Sequence, residues 1–375
     1  MSEYQYYEFV AVDGPISDEG LRYAEGCSSR ADVSRVHWRN VYNFGDFGGS
    51  VERLLQHYDA HFYIANWGTV RFAVALPKGV LDLEAAEPYI RGHEQYENTL
   101  TIKSNGARTI VWWERNEEGG WGWTEGEGLI SRLVGIREEL MRGDYRALFL
   151  GWLADFRPDE WRDPRDSAVL VPPIPAGLDC LTPALQTLLE QIPVDCDALA
   201  VAAGHAQGGM PDCIPISDAL DKLPASDMKA LLARVADGDG SRVMSELNRL
   251  TYPHIEPAAG EAMTCVEFAA KAITVREARR KKEAKAVAAE KRRAAKARRR
   301  HLESVMKRSD TIWTGLDPLM EEKIASAYDN VAAQLQELRD AYRQADSESE
   351  FRVRLEAFRD RYSRRPAMMR RIKEL

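Results

Sequence analysis

Cysteine chemistry is almost missing from this chain. The five cysteines, at 27, 180, 196, 213 and 265, are an odd number in 375 residues and form no CxxC pair. That usage favours buried free thiols in a reducing compartment over a disulfide framework. Long apolar runs are missing too. The most apolar long window is Ala147–Phe156, ALFLGWLADF, far short of the roughly 20 residues a spanning helix needs. No membrane partner is therefore expected. The opening MSEYQYYEFV lacks a basic stretch followed by an apolar run, so no signal peptide is expected and the chain reads as cytoplasmic. Tryptophan disappears after the first half: eight of nine lie at or before Trp161, and only Trp313 lies beyond. The densest core is expected in the front half. GxSxG is absent, and no Ser/His/Asp set is suggested by spacing, so no catalytic residue is assigned.

Acidic charge is scarce in one place only. Arg276–Arg308 reads REARRKKEAKAVAAEKRRAAKARRRHLESVMKR, with 15 basic residues against 4 acidic, a balance of +11. The remainder of the chain has 36 basic and 55 acidic residues, a balance of −19. An acidic protein thus carries one concentrated basic arm. The stretch has no Gly or Pro and is built from Ala, Arg, Lys and Glu, the best helix formers. A short helix is expected over Thr264–Ala272, with Glu267 at its capping-box position, and the basic helix is expected to open at a second capping box, Thr274 with Glu277. Positive residues and alanines surround the helix, and no apolar stripe shows until Leu302, Val305 and Met306. The helix should therefore stand in solvent. The candidate binding residues are Arg279, Arg280, Lys281, Lys282, Lys291, Arg292, Arg293, Lys296, Arg298, Arg299 and Arg300. Unpaired positive charge suits a phosphate backbone, whose attraction is non-directional. A solvated spacer, or an arm docked on an acidic protein, explains the same charge. A membrane surface suits it less, since no bulky apolar face is present to insert.

The rest of the chain predicts an α+β (mixed) N-terminal domain, then an all-α bundle, the basic helix and a helical-hairpin or coiled-coil tail. The boundaries are 1–157 for the Trp-rich α/β domain, 158–175 for a Pro-rich linker, 176–260 for the short-helix bundle, 261–313 for the basic helix and 314–375 for the tail. Strands are expected at Tyr4–Val12, Val33–Tyr42, Phe62–Ala65 and Val70–Leu76. A hairpin is expected at Thr99–Lys103 and Arg108–Arg115 around Asn105-Gly106. A ferredoxin-like core is one arrangement of such elements. Ser17 and Ser50 read as N-caps. Leu129–Met141 and Asp144–Phe156 read as amphipathic helices. Short helices at Thr182–Gln191, Asp195–Ala206, Ser217–Leu223, Ser226–Ala236 and Ser241–Leu250 are separated by Gly or Pro. In the tail, Asp317-Pro318 reads as N-cap and N1 of a helix. Its seam would be Leu316, Met320, Ile324, Ala327, Val331, Leu335, Leu338 and Tyr342. Ser347 opens a further helix carrying Phe351, Leu355, Phe358 and Tyr362, and these helices are expected to fold back on each other. Self-association through 316–372 is a second partner reading.

Several motifs have plainer explanations. His57-Tyr58-Asp59-Ala60-His61 has the i,i+4 histidine spacing of a metal-binding helix, but Tyr58 stands where a zincin needs Glu, and the histidines read as structural. The Gly–aromatic stretches Asn43–Gly49 and Asn66-Trp67-Gly68 read as tight turns, since the first lacks both GxGxxG and GK[ST]. Trp112, Trp113, Trp121 and Trp123 form either a core cluster or a stacking groove flanked by Arg108 and Arg115. Asp237-Gly238-Asp239-Gly240 has Arg242 and Asn248 where an EF-hand needs Gly and Glu, and reads as a loop. Cys180, Cys196 and Cys213 fit no zinc module. No metal and no cofactor are expected.

The opening YYEFVAVDGPIS, with VYNFGDFGG and IANWGT after it, resembles an uncharacterised family of bacterial proteins that open YYEFxAxDxP. The ending, RRHLESVMKR through RDRYSRRPAMMRRI, resembles a helical tail of some bacterial SWIM zinc-finger proteins. The SWIM metal pattern CxC…CxH is missing, so its zinc does not carry over. A tail shared between different front ends implies an interaction module. The combined expectation is a bacterial interaction or scaffold protein whose basic arm captures nucleic acid or an acidic protein partner. An enzyme with its site in the α/β domain and a self-associating coiled-coil protein are the alternatives.

Overall fold

The computed structural model describes residues 3–90, 99–116, 125–161, 168–205, 214–238 and 262–375, with scattered residues between 240 and 251. Trp121, Trp123, Cys213, Gly208-Gly209, Asp239 and Tyr252-Pro253 lie outside the described residues. The chain divides into two compact units, Met1–Glu277 and Ala278–Leu375.

The first unit is built on one seven-stranded sheet. Its strands are β1 (Gln5–Val10), β2 (Asp32–Val33), β3 (His37–Tyr42), β4 (Ala60–Ala65), β5 (Thr69–Pro77), β6 (Leu100–Asn105) and β7 (Arg108–Asn116), in the order β2-β3-β1-β4-β5-β7-β6. All the pairings are antiparallel. This is not a ferredoxin-like core, because β1 runs antiparallel to both of its neighbours. Asn105-Gly106 makes the expected hairpin turn, with Gly106 at φ 63°, a conformation glycine adopts without a Cβ penalty. The stretch expected as one strand over Val33–Tyr42 is two, because it folds back between β2 and β3 and Ser34 Oγ accepts from His37 N at 3.0 Å.

Alternation along the strands sends successive side chains to opposite faces. One face, with Phe62, Ile64, Phe72, Val74, Val111 and Trp113, packs under α4 (Leu129–Leu133), α5 (Gly135–Met141) and α6 (Arg146–Asp155). The single helix expected over Leu129–Met141 is the pair α4 and α5, joined at Val134. Helix α6 is not amphipathic as expected: every residue from Arg146 to Ala154 is buried. It touches the sheet at Gly151, where a Cβ would lie 2.9 Å from Leu100 Cβ and 3.0 Å from the Trp113 indole. The other face, with Tyr7, Phe9, Trp38, Tyr63 and Trp112, packs under α1 (Asp18–Gly26) and α2 (Val51–Leu54). Ser17 and Ser50 cap these two helices as expected, accepting from Gly20 N and Arg53 N.

Helix α3 (Leu83–Ile90) follows β5. Helices α7 (Pro183–Gln191) and α8 (Cys196–His205) lie within 176–260, expected as a separate bundle; their Leu185, Leu188, Ala198 and Ala202 join the core beneath α4–α6. Two more short helices, α9 (Ile216–Leu220) and α10 (Ala225–Ala236), follow.

Helix α11 (Cys265–Lys307) is a single helix of 43 residues. Its capping box is Thr264 with Glu267: Glu267 N donates to Thr264 Oγ1 at 3.2 Å and Thr264 N to Glu267 Oε2 at 3.0 Å. Thr274 is therefore not a cap. It sits inside the helix, donating its hydroxyl to Ala270 O at 2.9 Å, since nothing between Ala272 and Glu277 breaks the helix. The division between the two units falls inside α11.

The second unit is completed by α12 (Ser309–Glu321), α13 (Ala325–Gln344), α14 (Glu348–Arg361) and α15 (Pro366–Arg371). Asp317-Pro318 does not open a helix as expected. Pro318 lies inside α12, and the chain breaks after Glu321, with Lys323 at φ 57°. Asp317 instead accepts from Arg361 at 2.7 Å and Tyr362 at 2.8 Å. The seam residues Leu316, Met320, Val331, Leu335, Leu338 and Tyr342 are buried against Leu302, Val305, Phe351, Leu355 and Phe358. Ile324, expected in that seam, is 51% exposed because it sits in the break.

Candidate nucleic-acid interface

The two ends of α11 and its middle follow different physics. At its start, Cys265, Phe268, Ala269 and Ala272 are buried in the core of the first unit, with Phe268 against Trp152 and Phe156. At its end, Leu302 and Val305 are buried in the core of the second unit. Between them, every residue from Glu277 to His301 is exposed on every side of the helix. These 25 residues span about 37 Å at 1.5 Å per residue. Only polar contacts from α13 reach their last turn, at Arg298, Arg299 and His301, so they are helical through composition rather than burial.

Some of the candidate cations are engaged. Arg298 Nη1 donates to Glu337 Oε1 at 2.6 Å and its Nη2 to Asp340 Oδ2 at 2.9 Å. His301 Nε2 lies 2.6 Å from Glu337 Oε2. The Arg298 hydrogen bond, with His301 adding to it, holds the Glu337 carboxyl below the ordinary glutamate range. Arg279 pairs with Glu283 at 3.0 Å and Arg299 with Glu303 at 3.2 Å. Just before the exposed run, Arg276 binds Asp159 at 2.7 Å and Asp195 at 2.6 Å. Arg280, Lys281, Lys282, Lys291, Arg292, Arg293, Lys296 and Arg300 make no ion pair among the described residues, and neither does Lys285, which the sequence reading did not single out.

The motifs of the first unit separate in space. Trp112 and Trp113 are adjacent on β7 and point to opposite faces, so they make no common stacking platform. Trp113 Nε1 donates to Ala147 O at 3.0 Å and its ring stacks on Phe72. Arg108 binds Asp59 at 2.9 Å and Arg115 reaches Gln191 O at 3.3 Å. Asn43–Gly49 folds over the aromatic face. Phe47 stacks on Tyr7, Tyr7 OH lies 3.2 Å from Asp46 Oδ1, and Gln5 Nε2 donates to Gly45 O at 3.1 Å. An acidic side chain in that turn opposes phosphate.

His57 and His61 do not share a helix face, because His61 lies on β4. Its ring is wholly buried, stacked on Phe9 with centroids 4.2 Å apart. A carbonyl only accepts, so the 3.1 Å contact with Glu8 O fixes the proton on Nδ1 and leaves Nε2 as a lone-pair nitrogen. Burial pushes this imidazole down to about 3. His61 Nε2, Trp112 Nε1 and Tyr42 OH are buried without a hydrogen-bond partner among the described residues. Across the sheet, Ala73 stands between His61 and Trp112, whose ring centroids are 6.1 Å apart.

Two arrangements had no signal in the sequence. Glu8 accepts from Tyr6 OH at 2.8 Å on one oxygen and faces His37 Nε2 at 2.8 Å on the other. Arg137, 1% exposed, chelates Asp13 at 2.6 and 2.9 Å and donates to Ala75 O at 2.9 Å. Tyr6 and Glu8 share β1, but His37 is 29 residues from Glu8 and Asp13 is 124 from Arg137, and no spacing rule joins those pairs.

No group of three or more His, Cys, Asp or Glu placed to hold a metal occurs among the described residues. No helix among them is long and apolar enough to cross a membrane. No protein family, curated protein or solved structure matches the chain.

Proposed function

We propose that this chain is an interaction or scaffold protein whose basic helix captures nucleic acid. One observation carries the reading: 25 consecutive exposed residues, Glu277–His301, include nine cations without an ion pair among the described residues. An exposed cation without an internal partner holds mobile counterions, and a phosphate backbone releases them on binding. The exposure of the whole run between the buried start and the buried end of α11 supports the scaffold part of the reading. The tail's resemblance to a helical segment of SWIM zinc-finger proteins fits an interaction module.

The test is binding of labelled DNA and RNA to the intact chain at rising salt. Affinity falls steeply with salt and is lost when Arg292, Arg293, Arg298, Arg299 and Arg300 become Glu. No binding to either polymer at low salt would sink the proposal.

A further inference from the structure

Removing the internally paired residues changes the symmetry of the helix. Taking Arg280 as zero and turning about 100° per residue, Arg276, Arg279, Arg298 and His301 fall between about 260° and 360°. Within the second unit, Arg279, Arg298 and His301 face Glu283, Glu337 and Asp340. Glu283 and Glu290 lie on that side too, near 300° and 280° by the same turn. The unpaired cations fall mainly on the other side. Lys281, Lys285, Arg292 and Lys296 form a row between about 100° and 160°, and Lys282, Arg293 and Arg300 a second row between about 200° and 220°. Arg299 lies at the edge of this sector, and Glu303 beside it cancels its charge. Only Arg280 and Lys291 are unpaired on the far side. Seven free cations therefore occupy about a third of the circumference, over about 28 Å of helix.

The side chains on this segment also restrict the ligand. Ala278–Arg300 contains no aromatic residue and no Asn, Gln, Ser or Thr. Single strands held by proteins stack their bases chiefly on aromatic rings, and no ring is present here. Reading adenine calls for Asn or Gln, which are missing as well, so beyond the guanine edges that Arg and Lys can meet the strip has no means of reading a mixed sequence. What remains is a straight cationic strip suited to phosphates that are already held at fixed positions. A duplex supplies them without ordering a flexible chain, at one charge per roughly 1.7 Å of axis.

Resting on the reading that this helix binds nucleic acid, we infer that its ligand is double-stranded and is held sequence-independently along this one face. The opposite face is neutralised by the chain's own carboxylates.

The experiment compares two variants of the intact chain, each losing three positive charges: Lys285, Arg292 and Lys296 to Gln on the free face, and Arg279, Arg280 and Lys291 to Gln away from it. Each is titrated by fluorescence anisotropy with a labelled DNA duplex of about 20 base pairs, two helical turns, over a range of salt. A matching single strand and a poly-glutamate peptide are the competitors. Seven phosphate contacts give a log–log salt slope of about −6, and the free-face variant loses close to 3 of it, at roughly 0.9 per contact. The control variant loses less than about 1. The single strand competes more weakly than unlabelled duplex, and poly-glutamate competes weakest. Equal loss in both variants overturns the one-face inference while leaving capture by charge intact. Stronger competition by the single strand, or by poly-glutamate, overturns the duplex. No binding by the unmodified chain removes the parent reading itself.

Discussion

Arg298 on α11 and Glu337 on α13 meet at 2.6 Å, and His301, one turn along α11, meets the other oxygen of the same carboxylate at 2.6 Å. One glutamate thus takes two basic groups out of the exposed run and ties them to the tail. The pair is solvent-exposed, so its contribution is positional more than energetic. Glu337→Gln is expected to lower tail stability by well under 1 kcal/mol, read by thermal denaturation. The lowered carboxyl pKa sets the sign: this small contribution is present above the unfolded glutamate pKa and fades as pH falls through the folded value. In the variant the fading disappears.

His61 makes a prediction of the same sign, beginning at a higher pH. Its folded pKa, near 3, lies below the value of an exposed imidazole. Between those values the unfolded chain binds the proton and the folded chain does not, so stability is full above the unfolded pKa and falls with acidification. NMR titration is expected to show a neutral His61 ring at pH 5, protonated on Nδ1. His61→Phe removes that part of the acid slope in chemical denaturation. A His61 titrating near 6 would contradict the buried stacking on Phe9.

Gly151 tests the contact between α6 and the sheet. Adding a methyl group there meets Leu100 Cβ and the Trp113 indole at 2.9–3.0 Å. The indole is held by its bond to Ala147 O and its stacking on Phe72, so it has little freedom to yield. Gly151→Ala is expected to destabilise the first unit by about 1–3 kcal/mol, measured by urea denaturation followed by tryptophan fluorescence. An unchanged midpoint would show that the helix can lift off the sheet at no cost.

Period and turn chemistry made the architecture legible. Alternating aromatics wrote the strands, Asn105-Gly106 wrote a hairpin, and the run without Gly or Pro wrote the long helix. The signals that misled were local ones overruled by neighbours. Thr274 and Glu277 satisfy a capping pattern, yet the helix already starts at Cys265, ten residues earlier, anchored by the buried Phe268, Ala269 and Ala272. Asp317-Pro318 looks like a helix start, yet α12 already begins at Ser309, and the aspartate is drawn to Arg361 and Tyr362. The one-sided charge of the basic helix was hidden for a related reason. On the sequence its cations surround the axis. Whether Arg298 is spent depends on Glu337 and Asp340, 39 and 42 residues away, whose placement needs the tail to be folded.

The exposed run 277–301 is also under unusual rules of sequence change. A core residue such as Phe268 is fixed by the shape of its neighbours, but nothing surrounds Ala288 or Ala295. Exchanges among Ala, Gln and Leu there leave the fold as it is, while a single proline interrupts the backbone at about 3 kcal/mol. Such a segment can lengthen, shorten or drift in sequence while keeping its helicity and its charge. Its identity lies in its composition, and its descendants need not resemble it letter by letter.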